Sequence, residues 1–485
     1  MTKKVMIIGA GLAGLSAGIR LQELGIESEI FELAPWAGGM CTAWERGGYR
    51  FDGCIHWMVG TLPSEPMYRT YEWAGALNKD IAIYNAPYID FEHKGTMYRI
   101  PLRAAEFRAF LKSLSEADSK AIDTLCDDID RVAASELPLG APSNFAGLMH
   151  MLVKSRGFLS LALKYGKRTV GDVCAAFRSE TIRSILTHLM PADFAAFALL
   201  MMLGTRMSGN AGYPMGGAYD MTRRILEKYL TLGGTVHYSG KVDRILVENG
   251  SAVGVEVAGS QYRADGVIAA CDAYDTINRM LDGKYPHPQL EEMLKDTPLF
   301  DPLALVSFGL NKRFGFPYAV SLEVPQGIAV SDMEKSYGIS LRSFEFDPAS
   351  APEGCSSIMV MLGAPLDYWQ QLNESDPAAY QKEKQRLAND VAKVIESHYP
   401  GFSSAIEVTD VSTPATYVRL TNVYKGSFEG FAPTKEAMRK KIPIHFPDLR
   451  RMLICGQWTT AGGGICTAIV SGKDAAEKME KELRI

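Results

Sequence analysis

The clearest signal along the chain is a change of hydrophobic period within its first few dozen residues. Lys4 to Ile8 (KVMII) is an apolar run of the kind that makes a strand buried on both faces. GAGLAGLSAGIRLQELG follows, with apolar positions at helical spacing up to a stop at Gly25, and residues 27–33 (ESEIFEL) return to a strand pattern. A related order closes the chain: RMLICGQ reads as an apolar strand ending in glycine, TTAGGG as a loop, and ICTAIVSGKDAAEKMEKEL as a helix. In mid-chain, residues 218–232 have helical period, TVHYS and the alternating stretch 242–257 read as strands, and GVIAAC returns to a buried parallel-sheet pattern.

Two stretches stand outside this scheme. Residues 67–204 are helical and apolar in their second half, with Met149, Met151, Met190, Met201 and Met202 as flexible filler for a plain core or for an apolar ligand tunnel. Residues 285–444 read as strands with connecting helices, and an antiparallel sheet with one face toward a cavity is expected there. The fold class predicted is α/β: a discontinuous Rossmann-like domain from residues 1–66, 205–284 and 445–485, with an inserted α+β substrate domain from 67–204 and 285–444.

Length and composition agree with this division. A chain of 485 residues exceeds what one hydrophobic core usually holds. A net charge of −5, with no long run of one sign, gives no reason to expect nucleic acid as a partner. Eight cysteines without a CxxC pair fit reduced thiols. The start is not read as a leader, and PADFAAFALLMMLG is too short to span a bilayer and carries Asp193. A cytoplasmic protein, soluble or peripheral at a membrane, is expected.

The chemistry begins at the first glycine loop. Gly9, Gly11 and Gly14 fit GxGxxG between a strand and a helix, and Glu32, next to Leu33, follows near the end of the second strand. Gly9 permits the turn, Gly11 lets the backbone approach a pyrophosphate, and Gly14 lets helix and strand pack closely. The amides of the helix start, at Leu12 and Ala13, favour anions, and Glu32 would accept from a ribose. This unit implies a bound adenine dinucleotide. Gly14–Gly18 also matches GxSxG, but Ser16 falls inside the helix and not at the strand-to-helix elbow a hydrolase needs.

The remaining pieces separate nicotinamide from flavin. Gly38 and Gly39, followed by Met40, would let a second segment approach the pyrophosphate or ribitol. The strand before Gly456, and the loop with Gly463 and Gly464 before Ile465, again aim amides from a helix N-terminus at a sheet's carboxyl end. Val242 and Cys271, flanking the mid-chain strands, are assigned to the same site.

Taken together, GAGLAGLSAGIRL, Glu32 with Gly38–Gly39, YRFDGCIHW, YPMGGA, VDRILVENGSAVGV, ADGVIAACD and GQWTTAGGGICTAIVSG resemble the phytoene desaturase-like FAD oxidoreductases. That group includes carotenoid desaturases, carotenoid isomerases and retinol saturases, and is related to flavin amine oxidases. The resemblance implies a glutathione reductase-like FAD domain, non-covalent FAD, and a final glycine loop facing the flavin ring and ribitol. Where many relatives carry an acid to hold a ribitol hydroxyl, this chain has Gln457, which can make the same bond; a common proline is Ala461 here.

The implied reaction is desaturation, saturation or isomerisation at a carbon–carbon bond of a lipophilic, isoprenoid or polyene-like substrate. A quinone, oxygen, or a reduced flavin or nicotinamide donor would exchange the electrons. A flavin amine oxidase acting on a small amine, and a non-catalytic FAD-binding lipid escort, are the competing readings. His56, in FDGCIHWMVG, is the titratable candidate for proton handling, with satisfaction of buried backbone groups as its alternative role. It also counts among the cofactor neighbours. His188 and His237 have weaker cases, and Tyr213, in GYPMGG, is a lid or ring neighbour. Tyr417, Tyr424, Phe428 and Phe431 either line the substrate cavity or pack beneath it. Residues 145–168 interleave apolar residues with Lys154, Arg156, Lys164, Lys167 and Arg168, which suits either a membrane surface or a solvated helix face. No cluster has metal-ligand spacing.

Overall fold

The computed structural model describes residues 2–136, 149 and 153–484. Among these, the strands form two large sheets. In the first, the order is Thr235–His237, Glu27–Phe31, Lys4–Ile8, Gly266–Ala269, Leu449–Ile454, Ser251–Val257 and Val242–Glu248. The first five strands run parallel, in registers such as Val5 opposite Gly266 and Val267 opposite Met452. Val5, Ile7, Ile268 and Leu453 are fully buried because helices cover the sheet, which is why these strands are apolar throughout. The hairpin 242–257 joins Leu449–Ile454 by a parallel bridge between Ser251 and Arg450, and pairs antiparallel within itself and with strand Ser260–Arg263.

The first helix, Leu12–Glu23, and the last, Ile465–Leu483, lie side by side on one face. Their approach is close: a Cβ on Gly472 would sit 2.1 Å from the carbonyl oxygen of Ala13. Only glycine permits that spacing, so the two ends of the chain are locked together. Ser16 is buried within the first helix, as its period predicts.

The second sheet runs Ile406–Ser412, Leu303–Leu310, Ser356–Gly363, Lys335–Ser343, Ala319–Ala329, Tyr88–His93 and Thr96–Pro101. It is antiparallel except where Val320 and Ser321 pair parallel with Asp90 and Phe91. A helical layer, including Ser119–Ala133, Arg156–Tyr165, Glu180–Leu189 and Ala196–Met207, covers one end. Ile129, Val132, Ile185, Leu199 and Leu203 form its core. Met151 and most of residues 145–152 lie outside the described residues. No helix among the described residues is long and apolar enough to cross a membrane.

Candidate functional site

Strands Lys4–Ile8, Gly266–Ala269 and Leu449–Ile454 end at a cavity of about 1650 Å³. Pockets for one small ligand are typically about 300–1,000 Å³, so this space suits a cofactor and a second molecule together. Its first half is built from glycine turns. Gly9 has φ +102°, and a Cβ on Gly14 would fall 1.9 Å from the Gly9 carbonyl oxygen. Gly14 therefore lies under the loop and not in the cavity wall, while Gly9, Gly11, Leu12 and Ala13 line it.

The second glycine pair belongs to the same structure. The Gly38 amide donates to the Ala10 carbonyl at 2.9 Å, and a Cβ on Gly39 would reach the Gly11 Cα at 3.2 Å. Gly38, Gly39 and Met40 line the cavity, as do Val242 and Cys271. Burial pushes the Cys271 thiol up to about 12, so it is a neutral wall group.

Glu32, buried at the strand end, accepts from the Ala10 amide at 2.6 Å and the Ala34 amide at 2.8 Å, which fixes its carboxylate beside Leu33 at the cavity edge. From the other end of the chain come Gly456, Gln457, Gly463, Gly464 and Ile465. Both helices that start here have a glycine at the N-cap, Gly11 and Gly464, with no side-chain cap. Their first-turn amides are therefore open toward the cavity, with the positive ends of two helix dipoles. The side-chain amide of Gln457 makes no hydrogen bond among the described residues. This donor set fits a dinucleotide: amides for phosphates, a fixed carboxylate and a free amide for hydroxyls.

His56 lines the cavity, yet its chemistry differs from the expectation of titration near neutrality. Burial first, then the positive charges of Arg342 and Arg206, lower its pKa to about 3. It is a neutral imidazole at any working pH, and its buried Nε2 has no hydrogen-bond partner. The turn carrying it is held by Asp52, whose carboxylate accepts from the amides of Cys54, Ile55 and Ala218 and from the Tyr213 hydroxyl at 2.8–3.0 Å.

Tyr213 is thereby corrected from lid to buttress. It is 4% exposed, packs against Phe344 and Phe346, and does not reach the cavity wall. The glycines of YPMGGA make room for this contact, since a Cβ on Gly217 would meet the Tyr213 hydroxyl at 2.0 Å. His237 pairs with Glu29 on the sheet, and His188 stacks on Phe91; neither lines the cavity.

Two features escaped the sequence reading. Glu429 lines the cavity beside the final glycine loop, where a Cβ on Gly463 would touch its Cγ at 2.9 Å. With no cation beside it, burial alone raises its pKa to about 7. An acid set among aromatics and glycines, in GSFEGF, was the available signal. Cys41 and Cys54 also meet at the cavity despite lacking CxxC spacing; contact with Cys41, then burial, holds the Cys54 thiol well above its ordinary range. All eight cysteines are free thiols.

The other half of the cavity is apolar. Phe158, Met190, Phe197, Met201 and Met202 face it from the helical layer, and Leu303, Leu305 and Met361 from the second sheet. Tyr417 and Phe428 join this wall. Tyr424 stacks instead on Tyr274, and Phe431 is buried against Trp458.

Comparison with known proteins gives a consistent picture. The family described as flavin containing amine oxidoreductase matches residues 12–479. Prolycopene isomerase of Daucus carota is 22% identical over 99% of this chain and 80% of its own length. Phytoene desaturase (lycopene-forming) of Pseudescherichia vulneris is 24% identical over 99% of this chain and all of its own. Among solved structures, cyclohexylamine oxidase from Brevibacterium oxydans superposes with a TM-score of 0.60 at 16% identity, over the full length of both chains.

Proposed function

The chain belongs to the flavin containing amine oxidoreductase family and is an FAD-dependent oxidoreductase; from that premise we propose that it alters a carbon–carbon bond of a long, apolar, polyene-like substrate by desaturation, saturation or isomerisation. The observation that carries this reading is the apolar half of the cavity, continuous with the glycine-built half and walled by Phe, Met and Leu from two separate layers. Relatives named for prolycopene isomerisation and phytoene desaturation support the substrate class.

In this reading Gly9, Gly11, Leu12, Ala13, Gly38 and Gly39 hold the pyrophosphate side of FAD, and Glu32 takes a ribose hydroxyl. Gln457, Gly463, Gly464 and Ile465 attend the ribitol and ring. Bound there, FAD supplies hydride-level redox chemistry. The residues of the chain supply the rest. The apolar wall excludes water and aligns an extended chain. Glu429, with its raised pKa, holds or accepts a proton at its carboxyl near neutral pH. His56 remains neutral and offers Nε2 as a hydrogen-bonding group.

Helix Arg156–Tyr165 supports a membrane-surface route for the substrate. Leu159 and Leu163 project outward, Leu163 with 87% exposure, while Phe158 on the same helix lines the cavity. Lys164 is ion-paired to Asp128, and Arg156 makes no ion pair among the described residues, leaving it free for lipid headgroups.

The test is anaerobic mixing of the FAD-loaded protein with acyclic polyenes, and separately with primary amines and diamines, following flavin absorbance and product. Bleaching or isomerised product with polyenes is expected. Bleaching by amines alone would overturn the reading in favour of an amine oxidase, and full FAD occupancy without turnover of either class would favour a lipid escort.

A further inference from the structure

Strands Ala43–Arg46 and Tyr49–Asp52 form an antiparallel hairpin in which Ala43 lies opposite Asp52 and Arg46 opposite Tyr49. The pairing runs one residue past the strands, where the Gly53 amide donates to the Thr42 carbonyl at 3.1 Å. The next two positions in that register are Cys41 and Cys54. Directly opposed residues of an antiparallel pair point to the same face with Cα atoms about 4.5–5.5 Å apart, inside the range of about 4.4–6.8 Å that a disulfide spans. The face in question is the cavity, whose wall includes both cysteines. Both are free thiols, Cys41 buried and Cys54 half-buried.

The backbone fixes the pair from both sides. The Cys41 amide donates to the Gly38 carbonyl at 3.1 Å, and the Cys41 carbonyl accepts from the Thr222 hydroxyl at 3.2 Å. The Cys54 amide donates to the Asp52 carboxylate at 2.9 Å. Gly53 leaves room for Trp44, since a Cβ there would fall 2.9 Å from the indole. The two thiols therefore tie the glycine segment proposed to face the FAD pyrophosphate to the turn that carries His56. Cys466, a third thiol on the same wall, comes from the last helix. Contact with Cys41, then burial, keeps the Cys54 thiol protonated. A neutral thiol reacts slowly with oxidants from the bulk, which favours an electron acceptor held inside the cavity.

We propose that Cys41 and Cys54 form a dithiol–disulfide couple that exchanges two electrons with the bound FAD. In the oxidising direction two S–H bonds break and one S–S bond forms, and two electrons and two protons pass to oxidised FAD. The reverse step splits the S–S bond and returns both protons to the sulfurs. Glu429, on the same cavity wall and near enough for its charge to act on Cys54, relays a proton in either direction. Desaturation of a substrate leaves two electrons on the protein and saturation consumes two, so the couple stores the electrons of one turnover. The proposal rests on the FAD placement above and not on the substrate class.

The experiment oxidises the FAD-loaded enzyme with excess diamide, removes the oxidant, and titrates the protein anaerobically with dithionite while flavin absorbance is followed. Samples taken along the titration are alkylated, denatured and peptide-mapped. At the start a Cys41–Cys54 crosslink is expected, with two fewer free thiols than the eight of the reduced chain. Full reduction should then take about four electrons per FAD, with the crosslink lost over the same course. Cys41→Ser and Cys54→Ser should each take about two, whereas Cys466→Ser should keep the uptake at about four. Should a serine variant shed its FAD, electron uptake and crosslink loss in the unmodified enzyme decide alone. No crosslink after diamide, or a crosslink to Cys466 in its place, overturns the couple. So does a crosslink that survives complete bleaching of the flavin with only about two electrons taken up, since the disulfide is then a structural tie. Failure of the unmodified chain to bind FAD strikes the cofactor placement and the couple with it, while turnover of amines in place of polyenes strikes the substrate reading and leaves the couple standing.

Discussion

Gly11 and Gly14 occupy one loop, but the space around them differs in a way that separates folding from cofactor binding. A methyl at position 14 would lie 1.9 Å from the Gly9 carbonyl oxygen and 3.2 Å from the Ala270 Cβ. Gly9 cannot yield easily, because its amide donates to the Phe31 carbonyl at 2.8 Å in the sheet. Overpacking of this kind costs about 1–3 kcal/mol, and weakening that hydrogen bond about 1 kcal/mol more. Gly14→Ala should therefore destabilise the apoprotein by about 3 kcal/mol. At position 11 a methyl meets nothing nearer than 3.8 Å, and φ −72° with ψ 178° is open to any residue. Alanine ranks well below glycine as an N-cap and costs up to about 1 kcal/mol there, against a gain of about 0.4–1 kcal/mol from a stiffer unfolded chain. Gly11→Ala should thus leave apoprotein stability within about 0.5 kcal/mol. The same methyl projects between the two glycine loops, where the pyrophosphate is proposed to lie, and FAD affinity should fall at least about tenfold. Urea unfolding of the deflavinated protein and equilibrium dialysis with FAD read the two effects separately. Undiminished FAD affinity in Gly11→Ala would refute the placement of the cofactor against this loop. An apoprotein unchanged by Gly14→Ala would refute the rigidity of the loop itself.

Three further outcomes follow from the site. The Glu429 carboxyl rises from an ordinary 4.5 to about 7 on burial, so the folded state binds its proton more tightly than the unfolded chain does. Stability should then fall as pH rises through this window, by on the order of 3 kcal/mol relative to Glu429→Gln, and the rate should carry a limb near pH 7 that the variant lacks; parallel pH profiles for the two proteins would remove Glu429 from the chemistry. Tyr213→Phe deletes one of four donors to Asp52 and should cost about 1 kcal/mol in urea unfolding with kcat within about threefold. A tenfold fall in kcat at full FAD occupancy would restore Tyr213 to the reacting centre. Leu163→Asp, at an 87% exposed position, should change stability by less than about 0.5 kcal/mol yet reduce co-flotation with anionic liposomes; unchanged flotation would argue for a plain solvated helix.

The parts of this protein legible in the sequence are those whose cause is local. KVMII followed by GAGLAG carries its strand, turn and helix within a few residues, and the structure puts the helix at Leu12–Glu23. The second strand ends at Phe31, short of Leu33, because Glu32 turns to accept the Ala34 amide. What the sequence could not carry is electrostatic, since a side chain's charge state depends on partners that only the fold supplies. His56 looks like a neutral-pH acid or base until burial, and then the positive charges of Arg342 and Arg206 from a distant strand and helix, lower its pKa to about 3. Glu429 shows the reverse: no partner reaches it, and burial alone moves it into the range where a carboxyl can hold a proton. The residues proposed to hold the cofactor differ, because the short glycine patterns GAGLAG and TTAGGG need no distant partner to be read.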